Sequence, residues 1–238
     1  MNPGLFPMGT KGMSVLLNCL NRFLALLLTS LTVLAMTSIG AADINTWQAS
    51  INSQTKERYI PVELWAGTDW DGKFELKMPP VDGTYRHRTS TYYIKGPTDW
   101  KHPVTGQTSL IYERVNPGRN KGDDKSQLFT INQDQTGLGR LFDGRAGRDT
   151  RTYSGGLKFP LGMWKEGETK SFVYKVWSTT EMERVETITL KQMNFIYQST
   201  PYCLEIYWTA ADRSGRKTYD RHTYVYCPGK SMVSQIQH

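Results

Sequence analysis

Four arginines lie within twelve residues of the segment GRLFDGRAGRDTR, residues 139–151: Arg140, Arg145, Arg148 and Arg151. A guanidinium group keeps its charge at physiological pH and presents a planar fork of donors that matches carboxylates and phosphates. Gly144 and Gly147 predict a flexible loop here. We therefore take the four arginines as candidate anion-binding or partner-binding residues. The alternative is a solvated loop, partly neutralised by Asp143 and Asp149.

Two of the three cysteines, Cys203 and Cys227, are equidistant from Gly215 in the turn signal DRSGRK. In an antiparallel hairpin centred on this glycine, the two cysteines lie opposite each other. A cross-strand pair of this kind is close enough for a disulfide. Redox or metal chemistry is the alternative, but neither a Cys-x-x-Cys motif nor zinc-ligand spacing is present. The pattern therefore predicts a structural disulfide.

The same register predicts which residues of the hairpin face the core. It pairs Glu205 with Val225, Tyr207 with Thr223 and Thr209 with Arg221, on the face that carries the disulfide. The opposite face is more apolar and is expected to look inward, while the disulfide face is expected to be the wetter one. The predicted inward residues are Leu204, Ile206, Trp208, His222, Tyr224 and Tyr226.

No residue is assigned a catalytic role, and no metal site or cofactor is predicted. Nucleophile elbows, phosphate-binding loops, zinc-protease motifs and dinucleotide fingerprints are absent from the sequence. His222 is interpreted as a packed histidine bonded to a neighbouring tyrosine. Carboxylates of a glycoside hydrolase could still converge in three dimensions, because their spacing along the chain is not fixed.

Residues 1–42 have the features of a signal peptide. Lys11 and Arg22 precede an uncharged run of twenty residues, 23–42, that ends in Gly-Ala-Ala. The alternative is an uncleaved membrane anchor, since twenty residues just span a bilayer. Cleavage after Ala42 would remove Cys19 and leave two cysteines, which favours a disulfide in an exported protein.

The remaining residues, 43–238, are predicted to form a single β-rich domain, with a division into 43–155 and 156–238 as the alternative. Short β-branched and aromatic runs alternate with turn residues, which indicates an all-β antiparallel meander forming a sandwich or a partly open barrel. At most one short helix is expected, near the N-terminus. The predicted strands are 58–66, 86–95, 108–115, 126–132, 139–143, 170–178, 184–193, 201–209 and 219–227, and residues 67–84, 96–106 and 116–125 are predicted to be loops.

These features predict an exported, non-enzymatic protein of the periplasm or the extracellular space. Cleavage after Ala42 would leave 27 Lys+Arg against 22 Asp+Glu, a modest net charge of +5 that, without a nucleic-acid motif, does not predict a nucleic-acid partner. The expected partner is an anionic envelope component or an acidic protein, and membrane contact is expected only through an uncleaved signal segment. Two alternatives stay open: a small envelope hydrolase using loop carboxylates, and a structural subunit of an envelope complex anchored by exposed tryptophans, Trp65, Trp70 or Trp100.

The exported protein is expected to begin at Asp43. Intact mass spectrometry of the protein recovered from the periplasm or medium should give the mass of residues 43–238, and reduction should add two hydrogens. A mass that includes residues 1–42 would contradict cleavage, and alkylation of both thiols without reductant would contradict the disulfide.

Overall fold

A computed structural model describes residues 57–66, 71–118, 120, 122–145 and 148–238. One short helix, α1, spans Glu63–Ala66. The strands are β1 Glu57–Ile60, β2 Asp71–Val81, β3 Thr84–Lys101, β4 Thr108–Asn116, β5 Lys125–Ile131, β6 Gly137–Arg145, β7 Arg148–Tyr153, β8 Phe159–Pro160, β9 Gly162–Lys165, β10 Thr169–Trp177, β11 Glu181–Tyr197, β12 Thr200–Asp212, β13 Thr218–Cys227 and β14 Ser231–Gln237.

Eleven of these strands close into a barrel. Their order is β5-β4-β3-β2-β14-β13-β12-β11-β10-β7-β6, and β6 pairs back onto β5. The pairings are antiparallel except for β14 with β2, which run parallel. Each of the eleven strands therefore has a described neighbour on both sides, although β10 pairs with β7 only at Val176 and Trp177. The predicted all-β fold is confirmed, and of the two architectures expected, the chain adopts the barrel.

The predicted strands are confirmed in most places, but several segments differ. Residues 71–81 form β2 and residues 96–101 end β3 rather than forming loops, and residues 58–66 are divided between β1 and α1. Strands β7, β8, β9 and β14 lie where no strand was predicted. In β2 and β14 the local signals are weak: β2 contains Asp-Gly and Pro-Pro, and β14 is largely polar. Their pairing with each other, far apart along the chain, stabilises them.

Helix α1 packs into the lumen and closes it on one side. Its Trp65 side chain is 1% exposed and lies 4.7 Å, between ring centroids, from Phe129 of β5. The hydroxyl of Ser231 on β14 donates a hydrogen bond to the carbonyl oxygen of Trp65. Trp65 is therefore a core residue, and the expectation that it could anchor a partner from the surface is wrong. Trp100 is only partly buried, and Trp70 lies outside the described residues.

The β12–β13 hairpin has the predicted register and disulfide. Glu205 pairs with Val225, and the sulfurs of Cys203 and Cys227 are bonded. The six residues expected to face inward are all buried. The expectation of a wet disulfide face is wrong, because both cysteines are 0% exposed beneath a small cluster of outer side chains, Phe195, Tyr197, Val225 and Val233.

The predicted signal peptide and the predicted helix near residues 43–54 lie outside the described residues. Within the described part of the chain, no helix has the length and apolar character needed to cross a bilayer.

Removing the disulfide should lower the stability of the barrel. The bond spans 24 positions of sequence, for which restriction of the unfolded chain gives about 3 kcal/mol. We expect Cys203→Ala/Cys227→Ala to lose about this much free energy of unfolding in urea titrations. Wild-type protein unfolded in the presence of reductant is the matched control, since it loses the bond but keeps the side-chain volume. Equal urea midpoints for oxidised and reduced wild type would contradict a stabilising role.

Candidate functional site: a cationic cavity in the barrel

The lumen of the barrel contains a cavity of about 1150 Å³ that is strongly cationic. Its described lining has three carboxylates, Asp123, Asp143 and Asp220, against nine basic side chains. The basic residues are Arg88, Arg114, Lys125, Arg140, Arg145, Arg148, Arg151, Lys158 and Arg184. Walls of low dielectric strengthen the field of such a cluster and attract anions.

All four arginines predicted from the sequence line this cavity. Arg140 and Arg145 lie on β6, and Arg148 and Arg151 on β7. The expectation of a flexible loop is wrong for these residues, because both segments are paired strands, with Arg145 opposite Arg148. Gly144 belongs to β6, where a Cβ would meet the backbone of Thr150. The glycine therefore permits close strand pairing rather than mobility.

Arg140 is held by a buried ion pair. Its Nη1 lies 2.5 Å from Asp143 Oδ2, and Lys125 Nζ lies 2.9 Å from Asp143 Oδ1. Burial alone would raise the pKa of Asp143, but Arg140 and Lys125 outweigh it and lower the pKa. Burial likewise disfavours the Arg140 guanidinium, yet Tyr153, Asp143 and Glu186 keep its pKa above the ordinary value. Both groups are therefore charged at neutral pH.

Arg145 and Arg148 at the tip of the β6–β7 hairpin are more exposed. Arg148 pairs with Asp123 from the β4–β5 connection, and Arg145 Nη1 lies 3.7 Å from Asp149 Oδ2. Exposed pairs of this kind contribute at most about 1 kcal/mol, so exchanging the carboxylate for another anion costs little. These side chains can receive an anion entering the cavity.

An aromatic wall lies opposite the arginines. His222 of β13 stacks on Trp208 of β12, with centroids 5.6 Å apart, and on Tyr224 at 5.4 Å. The expectation that His222 bonds to a tyrosine is wrong, since its nitrogens approach Asp220 at 3.4 Å and Gln235 at 3.2 Å. Burial lowers the pKa of His222 although Asp220 opposes this, so the imidazole is neutral at physiological pH.

Behind the base of the cavity, where Lys158 lies, is the buried carboxylate of Glu186, on β11. Glu186 is 1% exposed, and its Oε2 accepts a hydrogen bond of 2.7 Å from the backbone N–H of Leu157. The Leu157 carbonyl in turn accepts from Trp208 Nε1 at 3.0 Å. Gly156 has φ +140°, and a Cβ at this position would overlap Glu186 Oε2. Only glycine therefore fits beside the carboxylate.

Lys158 is fixed at this base. Its backbone N–H donates a hydrogen bond of 2.8 Å to the Leu138 carbonyl. Its side-chain nitrogen, Nζ, lies 3.5 Å from Glu186 Oε1 and 2.8 Å from the centroid of the Trp208 ring. Burial lowers the pKa of Lys158 well below its ordinary value, and the positive charge of Arg140 lowers it further, whereas Glu186 acts in the opposite direction.

The Trp208 ring favours the ammonium form of Lys158, and so does Glu186. A desolvated cation–π contact contributes about 2 kcal/mol, whereas removing an ammonium from water costs several kcal/mol. Asp143 is already shared between Arg140 and Lys125. Glu186 therefore faces two cations, and Lys158 is the one that can release a proton, because arginine cannot. We conclude that the burial penalty exceeds the ring attraction.

Several buried polar atoms of the lining have no hydrogen-bond partner among the described residues. They are Arg140 Nε, the Tyr174 hydroxyl and Arg184 Nε. Buried polar groups in proteins are normally satisfied, so donors of this kind that face a cavity point to a polar ligand or to water. Within the described residues, no group of three or more His, Cys, Asp or Glu side chains could hold a metal ion.

Sequence reasoning missed the residues of the cavity that are not clustered along the chain. Arg114 and Arg184 line the cavity from β4 and β11, and Lys158 lines it from the segment before β8. Glu186, behind Lys158, lies in a strand whose sequence resembles that of an ordinary amphipathic strand. Barrel closure brings them together. Inward-facing charge at alternate positions, as in Arg184 and Glu186, was the available signal.

Comparison with known proteins gave no match: no family model, no curated protein and no solved structure is similar to this chain. The cavity is therefore interpreted from its own geometry and charges.

The Asp143 carboxylate should stabilise the fold in a pH-dependent way. Its pKa in the folded protein lies below that of the unfolded chain, about 3.9. Its contribution is therefore present above about pH 4 and is lost as the pH falls through the folded value. We expect Asp143→Asn to cost about 3 kcal/mol at pH 7, because it leaves buried Arg140 unpaired, and less at pH 3. Urea titrations at both pH values measure this difference.

Asp149→Asn is the matched control, since the Asp149 side chain is 73% exposed. It should change the free energy of unfolding by less than about 0.5 kcal/mol at either pH. A loss for Asp143→Asn that is equal at pH 7 and pH 3 would contradict the ion pair as its cause.

Proposed function

We propose that this protein binds a small anionic molecule in the lumen of its barrel. The observation that carries the proposal is the excess of basic over acidic side chains around one cavity, nine against three in its described lining. The four arginines predicted from the sequence are part of it. Such a concentration of like charge destabilises a folded chain unless an anion compensates it.

The arrangement of charges supports a pathway in which an anion enters past exposed arginines and is then bound deeper in the cavity. Arg145, Arg148 and Arg151 lie on the exposed β6–β7 hairpin, and Arg140 lies deeper, paired with Asp143. An anion can meet the exposed arginines first and then the unpartnered donors of the interior, such as Arg184 Nε. Charge-assisted hydrogen bonds there are about twice as strong as neutral ones.

The aromatic wall supports a ligand with an apolar or aromatic part. Trp208, His222 and Tyr224 form one stacked surface, and Phe129 and Trp65 continue the apolar lining. Cavities that bind small molecules typically combine such surfaces with a few fixed polar groups. An organic carboxylate, sulfonate or phosphate fits this combination better than a bare inorganic ion does.

The state of two carboxylates of the cavity lining, Asp143 and Asp220, favours binding over hydrolysis. A glycosidase needs one carboxyl group whose pKa is raised so that it stays protonated near neutral pH. The pKa values of Asp143 and Asp220 in the cavity lining are instead lowered, by Arg140 and Lys125 and by His222 respectively. Neither is suited to the role of general acid.

Export to the periplasm or the extracellular space is part of the proposal. The Cys203–Cys227 disulfide is compatible with an oxidising compartment. An exported barrel of this kind would carry or retain an anionic envelope component.

The exposed arginines should determine affinity for an organic anion. We expect Arg145→Gln/Arg148→Gln/Arg151→Gln to raise the dissociation constant of 8-anilinonaphthalene-1-sulfonate at least about tenfold, equivalent to about 1.4 kcal/mol. Fluorescence titration at several salt concentrations measures it. N-phenyl-1-naphthylamine has the same rings without the sulfonate, so its weaker binding should not change.

The matched control is Arg86→Gln/Arg216→Gln/Arg221→Gln, which removes the same charge from exposed residues outside the cavity lining. It should leave both dissociation constants within about twofold, because solvent screens distant charges. Equal losses in the two triple variants would show only general charge attraction. Equal affinity of wild type for the charged and neutral dyes would also contradict the proposal.

A further inference from the structure

We propose that Lys158 is a nucleophilic amine that captures a carbonyl-bearing anion as an imine at the base of the cavity. The ligand class is an aldehyde or ketone that also carries a carboxylate or phosphate. The inference rests on the proposed anion-binding function and names the chemistry of the ligand.

The position of Lys158 suits this role. Its side chain is 12% exposed, and it lines the cavity, so its amine is open to the lumen and shielded from bulk water. Hydrogen bonds of Lys158 and Leu157 to Leu138, Glu186 and Trp208 hold its backbone in place. A fixed amine loses little freedom when it reacts.

Burial beside the Arg140 guanidinium favours the free amine of Lys158, which is the reactive form, although Glu186 opposes this. The buried Arg140 guanidinium repels a second positive charge nearby, and burial disfavours an ammonium. Arg140 can also pair with the anionic group of the ligand. Desolvation beside another cation is a known means of activating a lysine for attack on a carbonyl group.

The reaction is balanced without any co-reactant. The Lys158 nitrogen attacks the carbonyl carbon, which forms a C–N bond and a carbinolamine. Glu186 Oε1, 3.5 Å from Nζ, carries two nitrogen protons in turn: the first goes to the former carbonyl oxygen as the carbinolamine forms, and the second goes to the carbinolamine hydroxyl. The C–O bond breaks, water leaves and an imine remains. Addition of water reverses every step, so capture is reversible.

The aromatic wall completes the recognition. An imine at Nζ places the former carbonyl carbon next to the Trp208 ring, because Nζ lies 2.8 Å from the ring centroid. A planar group attached to this carbon can pack on Trp208. Aryl or conjugated oxo acids therefore fit better than saturated ones.

The test is reductive trapping of 4-carboxybenzaldehyde on the full exported chain at pH 7. Borohydride reduces the imine to a stable secondary amine, and peptide mass spectrometry locates it. We expect the adduct on Lys158 to form at least about tenfold faster than on Lys175, whose side chain is 48% exposed and paired with Glu181. A free amine at pH 7 reacts faster than an ammonium.

Competition and substitution identify the site. Excess 4-methylbenzoate, which has the anion but no carbonyl group, should protect Lys158 and leave Lys175 unprotected. Lys158→Arg should lose the adduct at this position, and Lys175→Arg should not affect it. The competition needs no variant, so it decides the question even if Lys158→Arg fails to fold.

The outcomes separate this inference from the proposed function. If 4-methylbenzoate displaces the anionic dye but Lys158 is not trapped faster than Lys175, the imine is wrong and anion binding stands. If Lys158 is trapped rapidly without protection by 4-methylbenzoate, anion recognition at this lysine is wrong, and the inference fails with it. Fast trapping with protection supports both.

Discussion

The buried carboxylate of Glu186 is the contact on which the interior of the barrel depends. It accepts a hydrogen bond from the Leu157 N–H and faces the Lys158 amine. It also lies so close to Gly156 that no side chain would fit at that position. The segment before β8 thereby crosses the lumen along one path, with Phe159 packed 4.7 Å from the Tyr226 ring, between centroids. Beside this crossing, part of the lumen is packed core and part is the basic cavity, and Trp65, Phe129 and Tyr226 belong to both.

This division explains how the barrel tolerates so many interior cations. A closed sheet of eleven strands has a lumen too wide for its wall residues alone to fill. Helix α1 and the segment from Leu157 to Leu161 fill part of it with apolar side chains, which supply the burial that stabilises the chain. The remaining space is lined by paired and unpaired charges. Ion pairs such as Arg140–Asp143 contribute little net stability compared with apolar packing, so their position is better explained by recognition than by folding.

The sequence predicted the features that are encoded locally. The β12–β13 register followed from the distances of Cys203 and Cys227 to Gly215, and alternation identified the buried face of that hairpin. Strands β2 and β14 were not predicted, because their pairing with each other joins residues 159 positions apart, such as Leu76 and Gln235. The four clustered arginines were visible, but their position on paired strands was not. Lys158 gave no signal, and Glu186 gave only an alternation of charge with Arg184, since barrel closure is what places Lys158 and Glu186 together.

The excess of positive charge in the lumen is the feature that ordinary stability does not explain. A barrel of this size could fill the same positions with neutral polar or apolar residues and be at least as stable. Instead, Lys158 feels the charge of buried Arg140 and faces Glu186, and Arg184 Nε and the Tyr174 hydroxyl are left without partners among the described residues. Functional sites of proteins often contain poorly packed or unpaired polar groups, and the rest of the fold compensates for their cost. In this barrel the apolar core compensates, and the unpaired groups of the lining are ones that an anion would satisfy.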